Sequence, residues 1–162
     1  MAVDMFMKID DVEGETSSKE FPKNIDVISW NWGMTQSGSA QTGTGAGSGK
    51  VNVHDLTFTK YIDSSTHNLM KMCCNGKHFK LATLTVRKAG GTPLPYLVIK
   101  LHDGLISGVH TGGNGGDDRF TENVTLNFAK FEVSYTPQGA GAIPGGTKDT
   151  AWNIAANSDK LG

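Results

Sequence analysis

Ile25-Asp26-Val27-Ile28-Ser29-Trp30-Asn31-Trp32-Gly33-Met34-Thr35-Gln36 alternates two kinds of side chain. Ile28, Trp30, Trp32 and Met34 share one parity, and Ser29, Asn31 and Gly33 share the other. Successive side chains of an extended chain leave on opposite faces. The stretch therefore reads as one long strand. Its Trp side should face a core, because two exposed indoles would leave a large apolar patch. Its small polar side should meet water, and that side carries no charge.

Outward from this strand the chain remains mostly β. Residues 3–9 read as a first strand, and 14–23 as a polar loop. Residues 37–49, Ser-Gly-Ser-Ala-Gln-Thr-Gly-Thr-Gly-Ala-Gly-Ser-Gly, are too small and polar to pack a core of their own. They interrupt two good strands, since β character restarts at Val51-Asn52-Val53 and runs through Phe58 and Tyr61. A loop this long inside a compact domain is functional or disordered. One helix is expected, with Asp63, Ser64 and Ser65 as capping side chains, an apolar stripe of Leu69, Met70, Met72 and Cys73, and a stop at Asn75-Gly76. Strands follow over 79–88, 96–102 and 105–110, punctuated by Gly90-Gly91 and Pro93. A long strand over 119–137 changes its apolar phase between Phe128 and Phe131, which predicts a bulge or burial on both faces. A short last strand is expected at Trp152-Asn153-Ile154. Many strands and one helix predict a closed or nearly closed antiparallel β-barrel, because closure removes exposed edges.

Composition narrows the function classes. The 162 residues suit one domain, 1–162, able to bury roughly 70% of its unfolded surface. Fifteen Lys+Arg stand against 16 Asp+Glu, with no basic stripe, so neither nucleic-acid binding nor attachment to anionic membrane is expected. No window approaches the ~18 apolar residues of a membrane helix. The start, Met1 to Asp10, lacks the marks of a secretory signal peptide. Cys73-Cys74, the only cysteines, fit a reducing compartment. Any export should then avoid the signal-peptide route. Glycine is abundant, at 21 residues, and much of it lies in two runs that mark loops.

Chemical motifs are near-misses. Gly43 to Lys50 imitates a phosphate-binding loop, but Thr44 stands where its first glycine belongs and Val51 where Ser or Thr belongs. Such a loop also opens a helix, whereas β sequence follows here. Gly112-Gly113-Asn114-Gly115-Gly116-Asp117 opens like a calcium-binding nonapeptide, but those sites need tandem copies and Arg119 sits at an apolar position. A glycine-rich turn is the reading preferred. His54, His67, His78, His102 and His110 lack zinc spacing. No Gly-x-Ser-x-Gly elbow is present. Asp10, Asp11, Asp103 and Glu122 are not paired by spacing for acid–base work. No catalytic residue, cofactor or metal is expected. Three classes stay open at this point: a self-assembling structural protein, a monomeric Gly-rich β module binding a sugar or other small ligand, and an enzyme whose triad is nonlocal.

Several blocks in shared order resemble the Hcp family, the haemolysin-coregulated tube protein of type VI secretion systems. They are Asp4 to Ile9, Val12 to Glu15, Ile25 to Met34, Gln36 to Gly38, Val53 to Tyr61, Leu84 to Gly91, Thr111 to Arg119 with Thr121 to Ala129, and Trp152 to Ala155. The resemblance implies a β-barrel with a short helix, hexameric rings stacked into a tube inside a contractile sheath, and effectors carried in the ring lumen. Implied partners are further copies of the chain, sheath and spike components, and secreted effectors, with no membrane insertion. It implies assembly in the bacterial cytoplasm and then expulsion into a target cell or the medium. The chain ends at Gly162, so no C-terminal toxin domain is expected. The resemblance places Ser29, Asn31 and Gly33 on the lumen, with Asn31 where a smaller serine is expected. The glycine run, with Gly38, Gln41, Gly43, Gly45, Gly47 and Gly49, becomes a joint between copies or stacked rings, because its ordering needs a partner.

Overall fold

The computed structural model describes residues 3–38, 49–89, 94–138 and 145–162. Its strands are β1 (Val3–Ile9), β2 (Ile25–Asp26), β3 (Ser29–Asn31), β4 (Met34–Thr35), β5 (Asn52–Val53), β6 (Leu56–Tyr61), β7 (His78–Lys88), β8 (Pro95–Thr111), β9 (Thr121–Tyr135) and β10 (Lys148–Asn153), and its helix is α1 (Thr66–Asn75). The main sheet runs β2-β1-β7-β8-β9-β6-β3, with β10 added to β9, and β4 pairs with β5 apart from it. Every pairing is antiparallel.

The fold is the expected antiparallel barrel with one short helix, but its seam is not where one long strand would put it. The expected strand over residues 25–36 is three short ones. β2 lies on β1, and β3 lies on β6. Between them the chain changes neighbours: the Val27 N–H donates to Met5 O at 3.0 Å, and the Ile28 N–H donates to Thr59 O at 2.8 Å. The ladder is open at this point, and these two bonds stitch its ends together. The crossover also breaks the alternation. Val27 is buried, whereas Ile28 and Met34 are 39% and 44% exposed. Of the four residues expected on the core side, only Trp30 and Trp32 pack against the core.

Alternation elsewhere gives the core directly. Met7 and Ile9 of β1, Leu56 and Phe58 of β6, Leu84 of β7, Ile99 and Leu101 of β8, and Val124 and Leu126 of β9 are fully or almost fully buried. Helix α1 packs on β8 through buried Leu69 and Met72. Its N-terminus is fixed by Asp63, whose Oδ1 accepts the Ser65 N–H at 2.9 Å, rather than by a cap from the Ser65 side chain. Gly76 ends it in the left-handed conformation, φ 67°, which glycine adopts without steric cost.

The two strands expected over 96–102 and 105–110 are one 17-residue strand, β8, running through Gly104. It has no room there for a side chain: a Cβ would stand 2.3 Å from Asn127 O and 2.4 Å from the Phe79 ring. The phase change of β9 is present, with Phe128 and Phe131 both buried. Its cause lies partly in the neighbour. Asp103 of β8 is left-handed, φ 53°, and is missing from the ladders with both β7 and β9. There β9 also exchanges β6 for β10 as its second neighbour. The extra residue of a bulge is likewise in β8, between Ile106 and Gly108. Trp32 fills the angle so made, edge-on to Phe128 and Phe131 with centroids 5.9 and 4.9 Å away.

Candidate functional site

Ser29 and Asn31 are exposed, on the outward face of β3. The register shows what stands beside them. Ser29 pairs with Thr59 and Asn31 with Thr57, across to β6. Thr59 pairs in turn with Asn123 and Thr57 with Thr125, across to β9. Asn123 then pairs with His110, and Thr125 with Gly108, across to β8. Two rows of small, mostly uncharged polar side chains thus cross four strands. They bond to one another: Thr59 Oγ1 donates to Asn123 Oδ1 at 2.6 Å, and the Thr57 and Thr125 hydroxyls are 3.1 Å apart. Side chains held by their neighbours present a firm, neutral surface.

Sequence reading placed Ser29 and Asn31 on this face but missed Thr57, Thr59, Asn123 and Thr125. A signal existed, since polar residues recur at every second position of both 57–59 and 121–127. Gly33 does not extend the row. It lies beyond β3, where its carbonyl accepts the His54 N–H at 3.0 Å.

Beneath this face lies a buried charged group. Lys60, fully buried, pairs with Glu122, also buried, and with Asp63 at 2.9 Å. Thr66 Oγ1 donates to Glu122 Oε1 at 2.7 Å. The group joins β6 and β9 to the start of α1. Glu122 Oε2 is buried without a hydrogen-bond partner among the described residues. A cation between two carboxylates at the sheet–helix junction holds structure, and the group does not open onto the polar face.

The second surface is an arm. β4 and β5 leave the barrel as a two-stranded ribbon leading into the glycine run. Gly38 and Gly49 mark its described ends and are 38 and 49 in the run; Gln41, Gly43, Gly45 and Gly47 lie outside the described residues. After Lys50 the chain enters β5 rather than a helix. Between the arm and β9–β10 runs an open groove of about 400 Å³, lined by Met34, Val51, Val53, Val133 and Trp152 among others. At the far end of β8, residues 112–117 form a turn, in which Asn114 Oδ1 accepts the Gly116 N–H and Asn114 O the Asp117 N–H. Among the described residues no cluster of three or more His, Cys, Asp or Glu is placed to hold a metal ion. No helix of the described residues is long and apolar enough to cross a membrane.

Comparison with known proteins is consistent over almost the whole length. The family model described as "Type VI secretion system effector, Hcp" matches residues 6–135. Protein hcp1 of Pseudomonas aeruginosa is 58% identical over 159 residues, covering 97% of this chain and 98% of that protein. The crystal structure of Hcp1 from Salmonella typhimurium superposes with a TM-score of 0.83 at 35% identity, covering 99% of this chain and all of the other. A structure described as a type six secretion system protein gives a TM-score of 0.92 at 26% identity, covering 98% and 100%.

Proposed function

The chain belongs to the Hcp family of type VI secretion proteins, and from that premise we propose that it is a non-catalytic subunit of hexameric rings that stack into the expelled tube and carry effectors in their lumen. The observation that carries the assembly is the apolar groove between the arm and β9–β10, where Met34, Val53, Val133 and Trp152 line a space that the described residues leave open. A ring is built from heterologous contacts, in which one patch meets a different patch on the next copy. A groove poor in charge and rich in Val and Trp suits the core of such a contact. The neutral rows from Ser29 and Asn31 to Thr125 and Asn123 suit the lumen. Small uncharged groups hold unrelated cargo weakly and release it. The glycine-rich arm reaches the neighbouring ring, and sheath and spike components meet the finished tube. Assembly in the cytoplasm precedes expulsion.

Native mass spectrometry at micromolar concentration, with negative-stain images of the same sample, tests this. A closed hexamer is expected. A folded monomer at that concentration would sink the tube and favour a ligand-binding β module instead.

A further inference from the structure

The arm is weak by itself. Among the described residues β4 and β5 exchange only the pairs Met34–Val53 and Thr35–Asn52, and an isolated two-stranded ribbon is marginal in water. Its direction must therefore be set where it meets the barrel, by Val53, which packs against the core, and by the hydrogen bonds at its root. There the Trp32 indole Nε1 donates to His54 O at 2.9 Å, beside the bond from the His54 N–H to Gly33 O. The next residue, half-buried Asp55, ties this root to the barrel wall. Asp55 Oδ1 accepts from Asn127 Nδ2 of β9 at 2.9 Å, and Oδ2 accepts from Ser107 Oγ of β8 at 2.8 Å. Ser107 is the residue at which the β8 register shifts, and its hydroxyl also lies 3.2 Å from Thr125 O. A bulge disturbs the ladder and re-aims a side chain. This one brings a hydroxyl to the carboxylate of the arm root.

We propose that Asp55 is the positioning residue of the arm: by bonding both β8 and β9 it fixes the angle at which β4–β5 leaves the wall, and so the register in which the glycine run meets the next ring. The inference rests on the reading that the arm joins stacked rings. The wall does not depend on Asp55, since β6 is paired with β9 from Leu56 to Tyr61 and its core side chains are buried. Loss of the carboxylate should free the arm and leave the barrel.

The test compares Asp55→Ala, Asn127→Asp and Asp55→Asn with wild type. Asn127→Asp keeps the size of the side chain and sets a carboxylate against Asp55, while Asp55→Asn keeps one acceptor oxygen. Hydrogen exchange is followed in peptides covering 33–36 and 51–55, and tube length by negative stain. Exchange in both segments should rise about tenfold in Asp55→Ala and Asn127→Asp and less in Asp55→Asn. Hexamers should persist and tubes should shorten in the same order. Unchanged exchange would overturn the anchor. Faster exchange with tubes of normal length would overturn its role in register, provided that deletion of 39–48 does shorten tubes. If wild type makes no tubes, or that deletion leaves them intact, the stacking role itself is lost, and exchange still decides whether Asp55 holds the arm.

Discussion

The barrel wall and the arm are joined by fewer than five residues and obey opposite rules. In β6, Leu56, Phe58 and Lys60 are fully buried, and the strand is laddered on both sides, to β3 and to β9. Among the described residues the arm has two residue pairs, an exposed Met34 and an open apolar groove beside it. The wall buries most of its apolar side chains within one chain. The arm leaves apolar surface that the described residues do not cover. Stability should therefore reside in the wall and assembly in the arm, and substitutions in the two regions should separate the two properties.

The largest effect is expected inside the wall. Lys60→Met leaves Glu122 and Asp63 without their cation in a dry site and should cost about 3–5 kcal/mol. Lys60→Met with Glu122→Leu should be more stable than Lys60→Met alone, because apolar groups replace the buried pair at little net cost. Chemical denaturation measures both. A loss below ~1 kcal/mol in the single variant would show that the buried charges are not what secures the sheet–helix junction.

In the groove the order reverses. Val133→Asp should lower stability by only about 1 kcal/mol, since its side chain is partly exposed. It should nevertheless shift the protein from hexamer toward monomer, because a desolvated unpaired carboxylate opposes the contact. Hexamers of normal yield by native mass spectrometry would move the interface away from this groove.

The arm's tip should matter less to folding. Replacing residues 39–48 by a short Gly-Ser turn should leave the unfolding free energy within about 0.5 kcal/mol, because loop-closure entropy changes slowly with length. Tubes should shorten while rings remain. Unfolding of this variant would make the run part of the core and end the contrast.

Smallest of all should be the effect of Asn31→Arg on stability, within about 0.5 kcal/mol for an exposed residue. Co-purification of a cognate effector should fall, and Asn31→Gln should reduce it less. A broken ring would place Asn31 at a subunit boundary instead. Normal cargo retention in both variants would remove β3 from the cargo surface.

Much of the wall was legible in the chain. The β character of 3–9 and of Val51 through Tyr61, and the apolar phase of 119–137, marked strands that the wall contains, and Asn75-Gly76 marked the end of the helix. The segment 25–36 shows the limit. Its alternation reads as one strand, yet Val27 bonds to β1 and Ile28 to β6, and the apolar Ile28 and Met34 face outward. A two-residue period gives the face on which a side chain leaves. It does not say which neighbour the backbone will choose, or where it will change neighbours. The flip between Phe128 and Phe131 was visible for the same reason, while the left-handed Asp103 beside it was not.

The sequence by itself determined the family, the β class, the helix ending at Asn75-Gly76, and the small uncharged residues at 29 and 31. Only the tertiary structure decided that Thr57, Thr59, Asn123 and Thr125 stand in line with them, and that Asp55 ties the arm to Ser107 and Asn127. The reason is the nature of sheet pairing. Side-chain pattern is local, fixed by bond geometry from one residue to the next. Register and crossovers are set by hydrogen bonds between residues some 30 to 70 positions apart, and these need distant strands brought side by side over a shared core.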